Sequence, residues 1–165
     1  MKFYFLFLIS LASTLTYGQA MKDLNHKDKI KFFFDHLSKD HLSLVDDFYH
    51  PRVKFIDPIG TIDSSEGIKK YYENMYKNVK FIKFNFSEFH EAGNNIVAVW
   101  KMTLQADKLN GGEPITVDGN SVITFDESGK ATYHRDYFDM GQFIYEHIPV
   151  VGYVIKKIKN RLKAE

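Results

Sequence analysis

Apolar residues return at helical spacing twice near the start of the chain: Ile30, Phe33, Phe34 and Leu37 within about Lys22 to Leu37, then Leu42, Val45 and Phe48 ahead of His50-Pro51. This spacing predicts two helices. Val53-Lys54-Phe55-Ile56-Asp57 then reads as a short strand closed by Pro58 and Gly60, and Ser64-Ser65-Glu66-Gly67 starts a third helix carrying Ile68, Tyr71, Tyr72, Met75 and Tyr76. That helix has an aromatic face. Four strand-like runs follow, Lys80 to His90, Ile96 to Ala106, Pro114 to Phe125 and Ala131 to Asp139, separated by Gly93-Asn94-Asn95, Asn110-Gly111-Gly112 and Glu127-Ser128-Gly129. Hairpin turns between consecutive strands predict an antiparallel sheet. A last segment, Phe143 to Leu162, is interrupted by Pro149 and Gly152 and ends in Lys156, Lys157, Lys159, Arg161 and Lys163. Helices grouped ahead of a curling sheet predict an α+β domain in which helices close one sheet face.

Alternation along each strand predicts which side chains meet the helices. In Ile96 to Leu104 the set Ala98, Trp100, Met102 and Leu104 avoids Lys101 and is expected inside. On the next strand Val117, Gly119, Ser121, Ile123 and Phe125 form the less polar set, which makes Ser121 a lone hydroxyl indoors. The last strand is ambiguous: Ala131, Tyr133, Arg135 and Tyr137 share one face, Thr132, His134, Asp136 and Phe138 the other. Either choice puts an ionisable group inside, where it needs a partner or a purpose.

The 165 residues are 44% hydrophobic and 16% aromatic, enough for one domain with a real core and foreign to disordered or fibrous chains. Lys+Arg of 22 against Asp+Glu of 21 leaves +1, so the whole molecule has no electrostatic footprint for nucleic acid. The absence of cysteine removes thiol catalysis, disulfides and thiolate metal sites. Lys2, the apolar stretch Phe3 to Leu15 and the small residues Thr14, Thr16, Gly18 and Ala20 have the layout of a secretory signal peptide, too short for a stable membrane span. Cleavage after Gly18, with Ala20 as the rival site, gives a secreted or periplasmic protein; a start at Met21 gives a cytoplasmic one. The expected division is a leader over 1–18, a domain over 22–141, and a basic helical extension over 142–165 packed on that domain.

Arg52 to Val79, with Asp57-Pro58-Ile59-Gly60, Gly67-Ile68 and Tyr71-Tyr72, resembles the matching segment of ketosteroid isomerases and SnoaL-like proteins of the nuclear-transport-factor-2-like (NTF2-like) superfamily. The likeness runs on through Phe125-Asp126-Glu127-Ser128-Gly129-Lys130 and covers roughly Ile30 to Gly141. It implies a cone, a strongly curved antiparallel sheet wrapped around the N-terminal helices with an apolar central pocket. It puts Asp57 where ketosteroid isomerases hold the carboxylate that shuttles a proton between carbons. Their oxyanion-hole tyrosine falls on Phe33, which has no proton to donate, and their protonated aspartic acid falls on Ser121, a weaker donor; that enzyme is a standard illustration of why such donors matter. The resemblance also turns Phe138 inward, which selects His134 and Asp136 as the inner pair.

In this fold core and pocket wall are one surface, so Tyr49, Tyr72, Tyr76, Trp100, Ser121 and Phe138 are candidate ligand contacts, and Asp57, His134 and Asp136 candidate acid/base groups. Each carboxylate also has a structural reading: Asp57 can brace its turn through backbone N–H groups, and Asp136 can be a polar partner for His134. His134, Asp136 and Asp57 lack a recognisable metal-ligand spacing, and no cofactor is implied. Two classes of function fit: an enzyme of isomerase, lyase or hydrolase type acting on a small, mostly apolar molecule, or a non-catalytic module that binds such a ligand or forms a homodimer through its sheet. A carboxylate saturated by backbone donors favours the second; a base with a perturbed pKa, reachable from the mouth of the pocket, favours the first.

Overall fold

Asn25 opens the first long helix. Its side chain accepts the Asp28 backbone N–H at 2.8 Å, satisfying a donor of the first turn where α1 (His26–His36) begins. A computed structural model describes residues 17–163 of the chain. The expected leader over 1–18 lies almost wholly outside the described residues; residues 17–22 are helical, and Met21 is already part of the core. The single helix expected from Lys22 to Leu37 is therefore divided at residues 23–25, where the Asn25 cap stands.

Next come α2 (Leu44–Phe48), β1 (Tyr49–Ile56), β2 (Thr61–Ile62) and α3 (Ser65–Tyr76), the last capped by Ser64, whose hydroxyl accepts the Gly67 N–H at 3.1 Å. Four longer strands follow as β3 (Val79–Ala92), β4 (Asn95–Ala106), β5 (Ile115–Phe125) and β6 (Ala131–Phe138). The chain ends in α4 (Met140–Phe143), a 3-10 turn at Tyr145–His147 and α5 (Pro149–Leu162).

The six strands form one sheet in the order β2-β1-β6-β5-β4-β3. It is mixed, because β1 lies parallel to β6 while the other neighbours are antiparallel. Both the antiparallel sheet and the cone are corrected by this topology. Hairpins join β3 to β6 in succession, but β1 reaches β6 from across the chain, and that return sets the parallel pair. Closure fails at the edges: among the described residues β2, two residues long, pairs only with β1, β3 pairs only with β4, and nothing joins the two. The sheet is open and does not wrap the helices.

Its inner face is the core. Ala98, Trp100, Met102 and Leu104 on β4 are buried, as are Val117, Ser121, Ile123 and Phe125 on β5, as alternation predicts. Each large apolar side chain so buried contributes about 1.5–3 kcal/mol. On β6, His134 is fully buried and Arg135 exposed, which settles the ambiguous strand in favour of the His134 face. Ala131 departs from its expected face and is buried too. Thr124 pairs with Tyr133 but Phe125 with Ala131, so β6 carries one extra residue there, and inside and outside exchange across it. Two apolar clusters result, one beneath the helices around Phe33, Phe48 and Ile68, and one around Trp100, Met102, Ile115 and Val117.

Candidate functional site

The β4–β5 pairing sets Trp100 opposite Gly119. A Cβ at Gly119 would lie 2.3 Å from the indole ring, so glycine is required for the ring to lie flat across β5. In that position Trp100 Nε1–H donates to Ser121 Oγ at 2.9 Å, and the Ser121 hydroxyl donates to Asp136 Oδ1 at 2.5 Å. Register makes the second bond available, since Ser121 and Asp136 are directly paired on β5 and β6. The network continues inward through His134, whose Nε2 is 2.9 Å from the same Asp136 oxygen and whose Nδ1 is 2.6 Å from the Tyr49 hydroxyl. A carboxylate only accepts, so Nε2 carries the hydrogen and Nδ1 accepts a hydrogen bond from the Tyr49 hydroxyl. Phe55 and Phe34 stand edge-on to the imidazole and fix its plane.

Asp57 is held in another way. The turn after β1 brings the Ile59 and Gly60 N–H groups onto Oδ1 at 2.8 and 2.9 Å, and the Tyr71 hydroxyl donates to Oδ2 at 2.8 Å. Both oxygens are engaged. Asp136, by contrast, receives both of its bonds on Oδ1, which leaves Oδ2 without a partner among the described residues.

These two carboxylates sit at the polar end of an apolar cavity of about 60 Å³. Its walls come from both core clusters, including Phe34, Tyr72, Phe84, Trp100, Met102 and Phe138. A wider recess of about 210 Å³ adjoins it, sharing Asp57, Asp136 and Phe138 and bordered by Arg135 and Tyr137. The surrounding phenols are all held neutral. Burial first, and then the charge of Asp136, drives Tyr49 well above the ordinary tyrosine value, with a hydrogen bond from Tyr72 acting the other way. Burial raises Tyr72 well above it too, and raises Tyr71 with help from the Asp57 charge. Tyr76, whose hydroxyl donates to the Leu37 carbonyl at 2.8 Å, is pushed up to about 12 by burial.

The candidate residues therefore separate into two layers. Asp57, Tyr72, Tyr76, Trp100, Asp136 and Phe138 line the cavity, whereas Tyr49, Ser121 and His134 lie behind the wall and reach it through Asp136. Phe33, which the resemblance puts in the oxyanion position, is fully buried and stacked on Phe48 at 4.3 Å; its neighbour Phe34 is the one that lines the cavity. Sequence reasoning did not single out Tyr71 for the site, although its place between Ile68 and Met75 on the aromatic face of α3 was a usable signal. Among the described residues no group of three or more His, Asp or Glu side chains is arranged to hold a metal ion.

Solved structures share this fold. TerC, co-crystallised with polyporic acid, is 21% identical and superposes with a TM-score of 0.62 over 72% of this chain and 94% of its own. An NTF2-like protein of unknown function from Burkholderia pseudomallei is 19% identical, with a TM-score of 0.64 over 73% and 95%. Another from Cytophaga hutchinsonii is 18% identical, with 0.56 over 71% and 92%. No curated protein matches the chain. The family model of the SnoaL-like domain matches residues 30–134, from the first turns of α1 to the buried histidine of β6, and the chain belongs to that family.

Proposed function

We propose that the domain is a non-catalytic binding module for a small, mostly apolar, ring-bearing molecule that offers one hydrogen-bond donor. The observation that carries this reading is the distribution of satisfied polar atoms. Asp57 has three donors, His134 has a partner on each nitrogen, and Ser121 both gives and takes a bond. Proton abstraction also needs a donor to hold the negative charge that develops, and the cavity-lining donors Tyr71, Tyr76 and Trp100 already give their hydrogens to Asp57, the Leu37 carbonyl and Ser121. The three bonds on Asp57 hold its turn and Tyr71 in place. Asp136 Oδ2 is left as the one polar anchor in an aromatic enclosure, an arrangement suited to orienting a ligand whose remaining surface is apolar. The likeness to TerC, crystallised with polyporic acid, is in keeping with occupancy of this pocket.

Trp100 supplies the test, because it is the sole tryptophan and lies in the cavity wall. Nitrogen-labelled protein has one indole N–H resonance. Phenol and hydroxynaphthalene are expected to shift it, and anisole and methoxynaphthalene, which lack the donor, to bind about tenfold more weakly. An indole resonance unmoved by all four compounds overturns the reading. Steady chemical conversion of a pocket ligand, abolished by Asp136→Asn, moves it to acid/base catalysis.

A further inference from the structure

Helix α5 is fastened to the domain at its first turn and is otherwise uncovered by the described residues. Gly152 is its one buried residue; a Cβ there would stand 2.2 Å from the Glu146 carbonyl oxygen, so the helix can rest on the 3-10 turn only with glycine at this position. Lys159 pairs with Glu146 and lies 3.5 Å from Asp139, a second tie to the domain. Beyond these contacts the outer side is apolar. Val151, Val154, Ile158 and Leu162 recur at intervals of three and four residues and form one stripe. Ile158 is 52% exposed and Leu162 79%, so the stripe faces water along its length. A contiguous exposed apolar stripe marks an interaction surface.

The charge around that stripe identifies the partner. From Pro149 to Lys163 the chain has five cations and no carboxylate, although the whole molecule carries only +1, so the remainder is net negative. Lys156, Lys157 and Arg161 have no ion pair among the described residues. We propose that α5 docks the protein on an anionic lipid surface, with the stripe in the headgroup boundary and Lys156, Lys157, Arg161 and Lys163 on lipid phosphates. A second α5 laid on the stripe would bring two sets of cations together. A nucleic acid would neutralise the cations but leave the stripe in water. At 14 residues the helix is about 21 Å long, and among the described residues no helix is long and apolar enough to cross a membrane. Docking places lipid near the cavity, because Phe143 of the cavity wall ends α4 just before the turn on which α5 rests.

The test is co-sedimentation of the full chain with vesicles of phosphatidylcholine alone, or with about one third phosphatidylglycerol. Wild type is expected to bind the anionic vesicles at least about tenfold more tightly, and Lys156→Glu/Lys157→Glu/Arg161→Glu to lose that preference. Ile158→Asp should weaken binding several-fold. The apolar stretch Phe3 to Leu15 is common to all variants, so the differences between them read α5. Should the triple reversal alter Trp100 emission, Lys156→Gln/Lys157→Gln carries the same expectation with a smaller loss. Equal binding to both vesicle types, or anionic binding unchanged in the charge variants, overturns the proposal. So does a dimer in sedimentation velocity that Ile158→Asp dissociates, which would make a second copy the cover.

Discussion

Asp57 and Asp136 stand at the same end of one cavity and border the same outer recess, yet they are built differently. Asp57 is satisfied largely by its own surroundings in sequence: two of its three donors are backbone groups two and three residues along, so its own turn holds one of its oxygens wherever the rest of the chain goes. Asp136 is satisfied by distant groups, Ser121 across a strand pair and His134 backed by Tyr49 from 85 residues away, and these meet on a single oxygen. A locally saturated carboxylate is a piece of backbone architecture. One assembled from far-apart strands has an oxygen left over for something else.

The largest effect that would sharpen this contrast is alkaline. Tyr49 and Tyr72 on the Asp136 side and Tyr71 on the Asp57 side all keep their protons above the ordinary value of 10 in the folded chain. Below pH 10 both states hold these protons and stability is unaffected; above it only the unfolded chain loses them, so stability falls as pH rises. Each phenol that stays protonated adds a slope of about 1.4 kcal/mol per pH unit. Urea midpoints measured from pH 10 upward should therefore drop steeply, and Tyr49→Phe/Tyr72→Phe on the Asp136 side should flatten the drop about twice as much as Tyr71→Phe on the Asp57 side, since two protonated phenols are lost against one. Equal flattening would erase the difference between the two sides.

The second effect is on stability at neutral pH. His134→Ala leaves the Tyr49 hydroxyl and Asp136 Oδ1 each short of a partner and opens a void among Phe34, Phe55 and Tyr49, at a cost of about 3–5 kcal/mol. Tyr71→Phe removes one hydrogen bond from a carboxylate that keeps two backbone donors, at about 1 kcal/mol. Denaturant unfolding with intrinsic fluorescence compares them directly. Similar losses in the two variants would mean that the Asp136 network is no more interdependent than the Asp57 turn.

Some of this was legible in the chain. Strand alternation alone predicts Trp100 and Ser121 inside, because a period of two depends only on neighbours in sequence. The aromatic face of α3 is legible for the same reason. The parallel meeting of β1 and β6 is not, since it depends on how segments some 80 residues apart find one another, and alternation says nothing about whether a sheet's edges meet. The inner position of Ala131 was hidden by one extra residue in β6, which reverses parity without leaving a mark such as Gly or Pro. Phe33 and Phe34 were indistinguishable as adjacent aromatics; the packing of α1 decides that the first stacks on Phe48 and the second meets the cavity. Asp57 was legible as a special position, but whether its oxygens were free required the turn geometry.

A smaller effect separates the two carboxylates in binding. Asp136→Asn keeps the volume but removes the charge at Oδ2, and should reduce the preference for hydroxyarenes over their methyl ethers from about tenfold to about twofold. Asp57→Asn should leave that preference intact, because both Asp57 oxygens already carry donors of the protein while Asp136 Oδ2 carries none among the described residues. Titrations on the Trp100 indole resonance measure both. A loss of preference in Asp57→Asn would mean that the turn opens on binding and that the local carboxylate is the anchor.

The smallest effect expected is none at all, in the reaction that the position of Asp57 brings to mind. Moving a steroid double bond requires a base to take a proton from carbon and donors to hold the negative oxygen that results. Phe34 lines the cavity from α1 without a donor, and Ser121 Oγ already gives its hydrogen to Asp136. Loss of one oxyanion donor costs about two to three powers of ten in rate, and here both positions fail while the base already accepts hydrogen bonds from Ile59, Gly60 and Tyr71, which lower its basicity. Because no donor lining the cavity among the described residues is free to hold that oxygen, absorbance assays of an unconjugated steroid ketone should show the same rate with wild type, with Asp57→Asn and with buffer. Turnover in the wild type that Asp57→Asn removes would break the comparison at its root, because it would make the locally saturated carboxylate the working one.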